Sequence, residues 1–382
     1  MKRVNRGPQP SGYVPGRRRW MSKKVAILGG GNGAFAMASD LALQGFEVRM
    51  WSKYSDELKE IKKTHTIKVS GPLEQGEAKI SIITDRIEEA IKGADLICSP
   101  IPAFTQTSVA ESLLPHLAEG QVIFLSPGTF GSCVMYKHLR EKGCKKDIVI
   151  GETGTLPFLT RKISPQESRI VVRACNLPTG VFPARKTKEA IEKIRAVFPS
   201  AHPVEDALSG ALMNAGPVIH PPLIVLNTGP IENPAPYDIH NEGTTPGIRR
   251  IISLLDEERI AVREAFGYKP NHYPLEDYYD ETRPHEWMYP RVAKKLLMES
   301  RLWYEKIDYK HRYVTEDIAC GLAFLNSVAD YIGVKIPIAR SLLCLAGAVA
   351  GTDFMETGRT LKSLGLSDVP LEELRKLLEN GL

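Results

Sequence analysis

The sequence predicts two units: an α/β unit built on a doubly wound, mostly parallel sheet, then an all-α unit. Three observations support this. A short run of β-formers ends in a glycine turn that opens into a helix. Strands and helices then alternate as far as about residue 204. From Glu205 onward, apolar residues recur at helical spacing with no convincing strands. At 382 residues, 43% hydrophobic and 25% charged, the chain has ordinary globular composition, unlike collagen-like or disordered chains. Its length suits two domains of ~100–200 residues each.

Lys24 to Leu28 (KVAIL) reads as the first strand. It stops at Gly29-Gly30-Gly31-Asn32-Gly33-Ala34, and Ala34 to Gln44 continues as a helix closed by Gly45. Glu47 to Trp51 (EVRMW) is the second strand. In that setting Gly29, Gly31 and Ala34 occupy the three small positions of a GxGxxG/A turn. The first permits the turn, the second lets the backbone approach a pyrophosphate, and the third packs helix on strand. Around Asn32 and Gly33, unpaired N–H groups and a partial positive charge suit phosphates. A dinucleotide site is expected. NAD sites usually carry an Asp or Glu ~20 residues on, which accepts from the ribose 2′-hydroxyl. Arg49 to Tyr54 holds no carboxylate, and Ser52 and Lys53 suit a 2′-phosphate, so NADP is the expected preference over NAD.

Further strands are expected at Ala78 to Thr84, Asp95 to Ser99, Gln121 to Ser126 and Asp147 to Gly151, with helices at Ile87 to Lys92 and Lys186 to Phe198. The strands end in turn chemistry at Pro100 to Phe104, Pro127 to Gly131 and Glu152 to Thr155. Ligands of such sheets bind beyond the carboxyl ends of the strands, which makes Pro102 and Phe104 candidate cofactor contacts.

In the second half, Asp206 to Asn214, Pro221 to Asn227, Gly247 to Phe266, Pro290 to Lys306, Ile318 to Ile332 and Ile338 to Ala350 suit helices. Tyr268 to Pro290, with four prolines, five tyrosines and Trp287, suits either a lid over a cleft or a surface packed on a partner. His220 lies among apolar and helix-breaking residues, where a lone histidine is more often a satisfied core residue than a catalyst. Arg312 to Ile318 reads as a helix start, opened by Thr315 or Asp317.

The net charge of +5 arises from one place. Residues 1–20 hold six basic and no acidic residues; removing those six from 50 leaves 44 against 45 acidic ones. No basic face for nucleic acid follows. The tail, rich in Pro, Gly and Arg, is expected to stay disordered and to be dispensable for activity, and it lacks the apolar run of a signal peptide. Met21, directly after it, offers an alternative start. Ser341 to Val349, the longest apolar stretch, falls short of the ~20 residues of a membrane span and reads as a buried helix. Cys98, Cys133, Cys144, Cys175, Cys320 and Cys344 form no CxxC, which suits reduced, buried thiols in a cytoplasmic protein and gives no metal set.

With those motifs in hand, the chain resembles the octopine/nopaline (opine) dehydrogenase family over residues 23–366. The resembling segments are the Gly29 to Ala34 turn, Pro102-Ala103-Phe104, Pro127-Gly128 to Gly131, and Glu152 to Arg161 (ETGTLPFLTR). Asn214 to Pro222 (NAGPVIHPP) and Tyr313 to Leu322 (YVTEDIACGL) complete the set and are the most specific. The resemblance implies a Rossmann-type domain at 21–204 and, at 205–382, an all-α domain of the 6-phosphogluconate dehydrogenase C-terminal type. It implies condensation of an amino acid with a small 2-oxo acid and reduction of the imine by NAD(P)H. By the same resemblance His220 is the catalytic histidine and Asp317 its partner. Arg312 binds a substrate carboxylate, and Glu152, Thr153 and Asn214 lie near the amino acid. The chemistry agrees with these roles: imine formation needs an uncharged amine, and histidine is the side chain whose ordinary pKa suits a base near neutrality. The expected assembly is a homodimer through the helical domain, with no membrane partner. Two rivals remain. Ketopantoate reductases and hydroxy-acid dehydrogenases share the two-domain plan but typically use a lysine in the 214–222 region, which has none here. A non-catalytic nucleotide sensor is the other.

Overall fold

A computed structural model describes residues 23–382; the expectations for the tail lie outside the described residues. The strands are β1 (Lys24–Leu28), β2 (Glu47–Trp51), β3 (Thr66–Ser70), β4 (Gly76–Lys79), β5 (Ile82–Thr84), β6 (Leu96–Ser99) and β7 (Val122–Leu125). They continue with β8 (Val149–Thr153), β9 (Phe158–Ser164), β10 (Glu167–Arg173), β11 (Leu177–Phe182) and β12 (Ala201–Pro203). Eight of them form one sheet in the order β12-β11-β8-β7-β6-β1-β2-β5. All of its pairings are parallel except β8 with β11.

β1 is hydrogen-bonded on both edges and covered on both faces, so its interior reads as an unbroken apolar run, with Val25, Ala26, Ile27 and Leu28 fully buried. The helix Asn32–Leu43 that follows is buried along nearly its whole length, from Gly33 to Leu41. It packs between the main sheet and a second sheet, β4-β3-β10-β9, which accounts for its nearly all-apolar sequence. That second sheet is a departure from the expected alternation. Ala78 to Thr84 is two strands, not one: β4 belongs to the small sheet and β5 to the edge of the large one. Between them the Ile80 N–H bonds to the His65 carbonyl and the Ser81 N–H to the Val48 carbonyl. The strand expected to end at Gly151 runs on to Thr153, which moves Glu152 and Thr153 from a loop into the sheet interior.

From Ala207 onward the described chain is helical apart from a two-residue pair, Tyr237–Asp238 with Tyr304–Glu305. Asp206 caps the short helix Ala207–Ala211 by accepting from the Ser209 N–H at 2.8 Å. The helix expected at Pro221 begins instead at Gly216 and runs through both Pro221 and Pro222 to Leu226. Each proline lacks the N–H that would bond to the carbonyl one turn back, and packing against Tyr313–Leu322 holds the helix despite that loss. Asp317 does not open a helix: it lies inside a π-helical stretch, Tyr313–Leu322, that continues into Ala323–Ile332. Pro290 to Lys306 contains only the helix Val292–Ser300. Tyr268 to Pro290 is tied down rather than free. Cys175 and Asn176 donate backbone N–H groups to the Met288 carbonyl, and Tyr289 donates its hydroxyl to the Leu156 carbonyl at 2.6 Å. Pro337–Ala350 is buried on one face only, with Leu345 and Val349 exposed, and Cys344 is likewise exposed. All six cysteines are free. Among the described residues, no helix is long and apolar enough to cross a membrane.

The two halves are fastened together close to the strand ends. Arg359 donates to the Thr129 and Ala103 carbonyls and to Gln106, and Glu316 accepts from the Ala103 N–H.

Candidate active site

The turn after β1 sets the first wall. Gly29 has φ +121°, a conformation that favours glycine, and its N–H bonds to the Trp51 carbonyl at 2.7 Å. The helix Asn32–Leu43 starts with no side-chain cap and no acidic residue in its first turn, so its N–H groups and partial positive charge remain available to an anion. Lys162 of β9 reaches over this turn. Its ammonium donates to the Gly30 and Glu57 carbonyls, each at 3.1 Å, and lies 3.7 Å from the Phe35 ring centre. Partial burial lowers its pKa. These residues fit a dinucleotide pyrophosphate.

From Gly31, Asn32 and Gly33 a cavity of about 380 Å³ runs past Pro102 and Leu156 to Asn214, His220, Arg312 and Asp317. His220 Nδ1 and Asp317 Oδ2 are 2.7 Å apart, although 97 residues separate them in the chain. The approach depends on Gly216: a Cβ there would lie 2.1 Å from Asp317 Oδ1. Tyr313 stacks on the His220 ring, with centres 3.7 Å apart and planes at 14°, and its hydroxyl is 2.8 Å from His240 Nε2. Burial, then the charges of Arg312 and Arg161, pushes the His220 pKa well below its ordinary value, so the imidazole is neutral near pH 7. Burial raises the Asp317 carboxyl, with Arg312 acting against that rise.

The Arg312 guanidinium lines the cavity and makes no hydrogen bond or ion pair among the described residues. Burial opposes its charge, but Tyr313, Glu316, Asp317 and Glu305 hold its pKa above the usual value. Asn214 is buried at the cavity wall, donating to Thr129 Oγ1 at 2.8 Å and accepting from the Gly216 N–H at 3.0 Å.

Other expected residues lie elsewhere. Glu152 is fully buried in β8, and its two oxygens accept the Phe130 and Ser132 N–H groups at 2.8 and 2.7 Å. Thr153 donates to the Pro178 carbonyl. Neither lines the cavity, because the strand that holds them is internal. Phe104 is 58% exposed and also lies off the cavity. Ser52 is buried and donates to Glu57 Oε2 at 2.5 Å, while Lys53 is exposed. Ala34 is buried against the turn, as helix–strand packing requires.

Glu57, Arg161, His240, Arg249 and Tyr313 were not among the expected site residues. Tyr313 and Arg161 lay within quoted motifs. His240 and Arg249 carried no local signal: one lies in a turn after Tyr237–Asp238, and the other is one of two adjacent arginines in the first turn of a helix.

Comparison with known proteins bears on the class. The profile described as NAD-dependent glycerol-3-phosphate dehydrogenase N-terminus matches residues 24–143, and that of the NAD/NADP octopine/nopaline dehydrogenase alpha-helical domain matches 203–350. An opine dehydrogenase of Arthrobacter sp. (strain 1C) is 32% identical, covering 94% of this chain and 99% of its own. Vitopine synthase of Allorhizobium ampelinum is 28% identical, over 90% and 95%. Among solved structures, octopine dehydrogenase in complex with NADH and agmatine shares the fold, with a TM-score of 0.68 at 20% identity over 94% and 98% of the two chains. The class is therefore an NAD(P)-dependent oxidoreductase acting on CH–NH donors. More particularly, the chain belongs to the octopine/nopaline (opine) dehydrogenase family.

Proposed function

We propose that the protein condenses an α-amino acid with a small 2-oxo acid, pyruvate or one of similar size, and reduces the resulting imine to a secondary amine dicarboxylate. The observation that carries this reading is the single cavity joining the glycine turn to the His220–Asp317 pair and an unpaired Arg312. A solved octopine dehydrogenase bound to NADH and pyruvate supports the choice of oxo acid.

Asp317 holds Nδ1 of His220 and leaves Nε2 to face substrate, in the manner of a triad carboxylate that fixes a tautomer. His220 takes a proton from the substrate ammonium, and the freed amine lone pair attacks the keto carbon. A C–N bond forms, the keto oxygen takes one proton from the amine nitrogen and one back from His220 and leaves as water, and a protonated imine remains. Arg312 grips the oxo acid's carboxylate and fixes the face presented for reduction. NAD(P)H, when bound, supplies the hydride that completes the secondary amine. Apolar walls at Pro102, Leu156 and Ile219 limit water, which would otherwise hydrolyse the imine.

Ser52 and Lys53 support NADPH as the preferred cofactor. A second reading rests on Glu57, whose carboxylate bonds to Ser52 and would accept from a free 2′-hydroxyl, favouring NADH. The ratio of kcat/KM for the two cofactors, before and after Glu57→Gln, decides between them. Domain limits at 21–204 and 205–382 and a homodimer through the helical half, the latter supported by exposed Leu345 and Val349, belong to the same proposal; sedimentation tests the dimer.

The functional test is cofactor oxidation across amino acids crossed with pyruvate, glyoxylate, oxaloacetate and 2-oxoglutarate. Oxidation that requires both substrates is expected. Oxidation with the oxo acid alone would favour a ketopantoate-reductase-like activity, and tight cofactor binding without turnover would favour a sensor.

A further inference from the structure

We propose that Arg249 anchors the α-carboxylate of the amino acid, and that the wall around it selects amino acids with uncharged side chains. The proposal rests on the condensation reading. A secondary amine dicarboxylate brings two carboxylates into one cavity, and Arg312 accounts for one.

Three other cations line the cavity: Arg161, Lys294 and Arg249. Arg161 is committed, donating to Glu305 at 2.6 Å and to the Leu302 carbonyl at 3.2 Å while its guanidinium lies over the Trp303 ring. Lys294 donates to the Tyr279 carbonyl at 3.1 Å. The Arg249 guanidinium makes no hydrogen bond or ion pair among the described residues, and its Nε is buried without a partner. The guanidinium carbon sits 5.1 Å from the centre of the Tyr279 ring, which orients the group without satisfying its donors. A buried unpaired donor is costly, and a carboxylate accepting two parallel N–H bonds is the ligand that fits a guanidinium best. Arg249 stands in the first turn of the long helix Pro246–Ala265, a rigid support for such an anchor.

The surrounding wall adds the side-chain preference. Tyr278, Tyr279, Trp287, Leu297 and Met298 supply apolar surface. The carboxylates lining the cavity are Glu316 and Asp317, and both are engaged: Glu316 by the Ala103 N–H and Asp317 by His220. Glu152, which could have met a cationic side chain, is sealed in β8. A guanidinium or ammonium side chain would therefore face Arg249 and Lys294 with no unengaged carboxylate to receive it. Solved octopine dehydrogenase with bound L-arginine shows that such amino acids are taken elsewhere in this fold.

The test uses the full chain with pyruvate and NADPH or NADH, and compares phenylalanine, leucine and methionine with arginine, lysine and glutamate, and phenylalanine with phenylalaninamide. The wild type is expected to favour the uncharged acids and to discriminate strongly against the amide. Arg249→Gln is expected to raise KM for phenylalanine by about tenfold or more, the order of a lost charge-assisted pair. It should leave KM for pyruvate within about twofold and erase the preference for acid over amide, and Arg249→Lys should recover part of the loss. Retained cofactor fluorescence quenching confirms folding of each variant. An unchanged phenylalanine KM in Arg249→Gln, persistent discrimination against the amide in that variant, or a charged amino acid as the best substrate would overturn the proposal. If no pair of substrates oxidises the cofactor in the wild type, the condensation reading itself fails, which is a separate result.

Discussion

Glu152 in β8 and Asp317 in the π-helical stretch are both buried carboxylates from resembling motifs, yet their surroundings differ. Glu152 is held chiefly by backbone donors. By accepting from Phe130 and Ser132 it fixes a turn in which Thr129 and Phe130 have φ of +54° and +62°, left-handed values that non-glycine residues seldom adopt. Thr129 in turn holds Asn214 at the cavity wall, so Glu152 acts on the site at second hand. Burial pushes its pKa up to about 7, with the Ser132 N–H and hydroxyl, the Phe130 N–H and the Arg359 charge opposing. Asp317 meets a titratable ring that opens onto a cavity. Burial alone does not distinguish the two roles. The partner does: a carboxylate spent on backbone N–H groups holds a loop, and one spent on an imidazole in a cavity sets up proton transfer.

The largest effect should come from breaking the second arrangement. His220→Ala is expected to lower kcat by ~10²–10⁴, the usual range for a lost general base, with Asp317→Asn close behind. Fluorescence titration should show NAD(P)H binding unchanged in both, because neither residue touches the glycine turn. Next, Arg312→Gln should raise KM for the 2-oxo acid by roughly 10–100-fold, the equivalent of one hydrogen-bonded charge pair, as read in initial-rate kinetics. Glu152→Gln should act on stability instead. It replaces one accepting oxygen with an amide that faces an N–H donor, at a cost of about 1–3 kcal/mol in denaturant titration, with kcat within tenfold. A collapse of kcat at full stability would erase the contrast.

The smallest effect is in the pH profile. His220 has its folded-state pKa depressed, chiefly by burial, so its neutral form persists as pH falls below 6.5 and is lost only at the lowered value. The acid limb of kcat/KM should therefore lie below pH 6.5. The linked stability, present above the unfolded value of ~6.5, should decline through the same lower range. An acid limb at or above pH 6.5 would show that His220 is not the group being titrated.

Much of the first half was legible because its signals are local. β1 and β2 match the sequence reading residue for residue, since each apolar run stops at a glycine turn or a polar loop. The small sheet was not legible, because β3, with β4 on its other edge, pairs with β10 from about a hundred residues downstream. In the helical half, Pro221 and Pro222 argued for a later helix start, and tertiary packing overrode them. The nearness of His220 and Asp317 came only from the family resemblance. Nothing within either segment reports on a contact spanning 97 residues, and nothing in the helical pattern marked Arg249 as unpaired.

The central claim is that one cavity joins an amine to a keto acid before reduction. The most direct measurement is mass spectrometry of the product formed from pyruvate, an uncharged amino acid and NAD(P)H. An N-(1-carboxyethyl) amino acid is expected, formed only when both substrates are present and lost in His220→Ala. Lactate as the product, with the amino acid untouched, would contradict it.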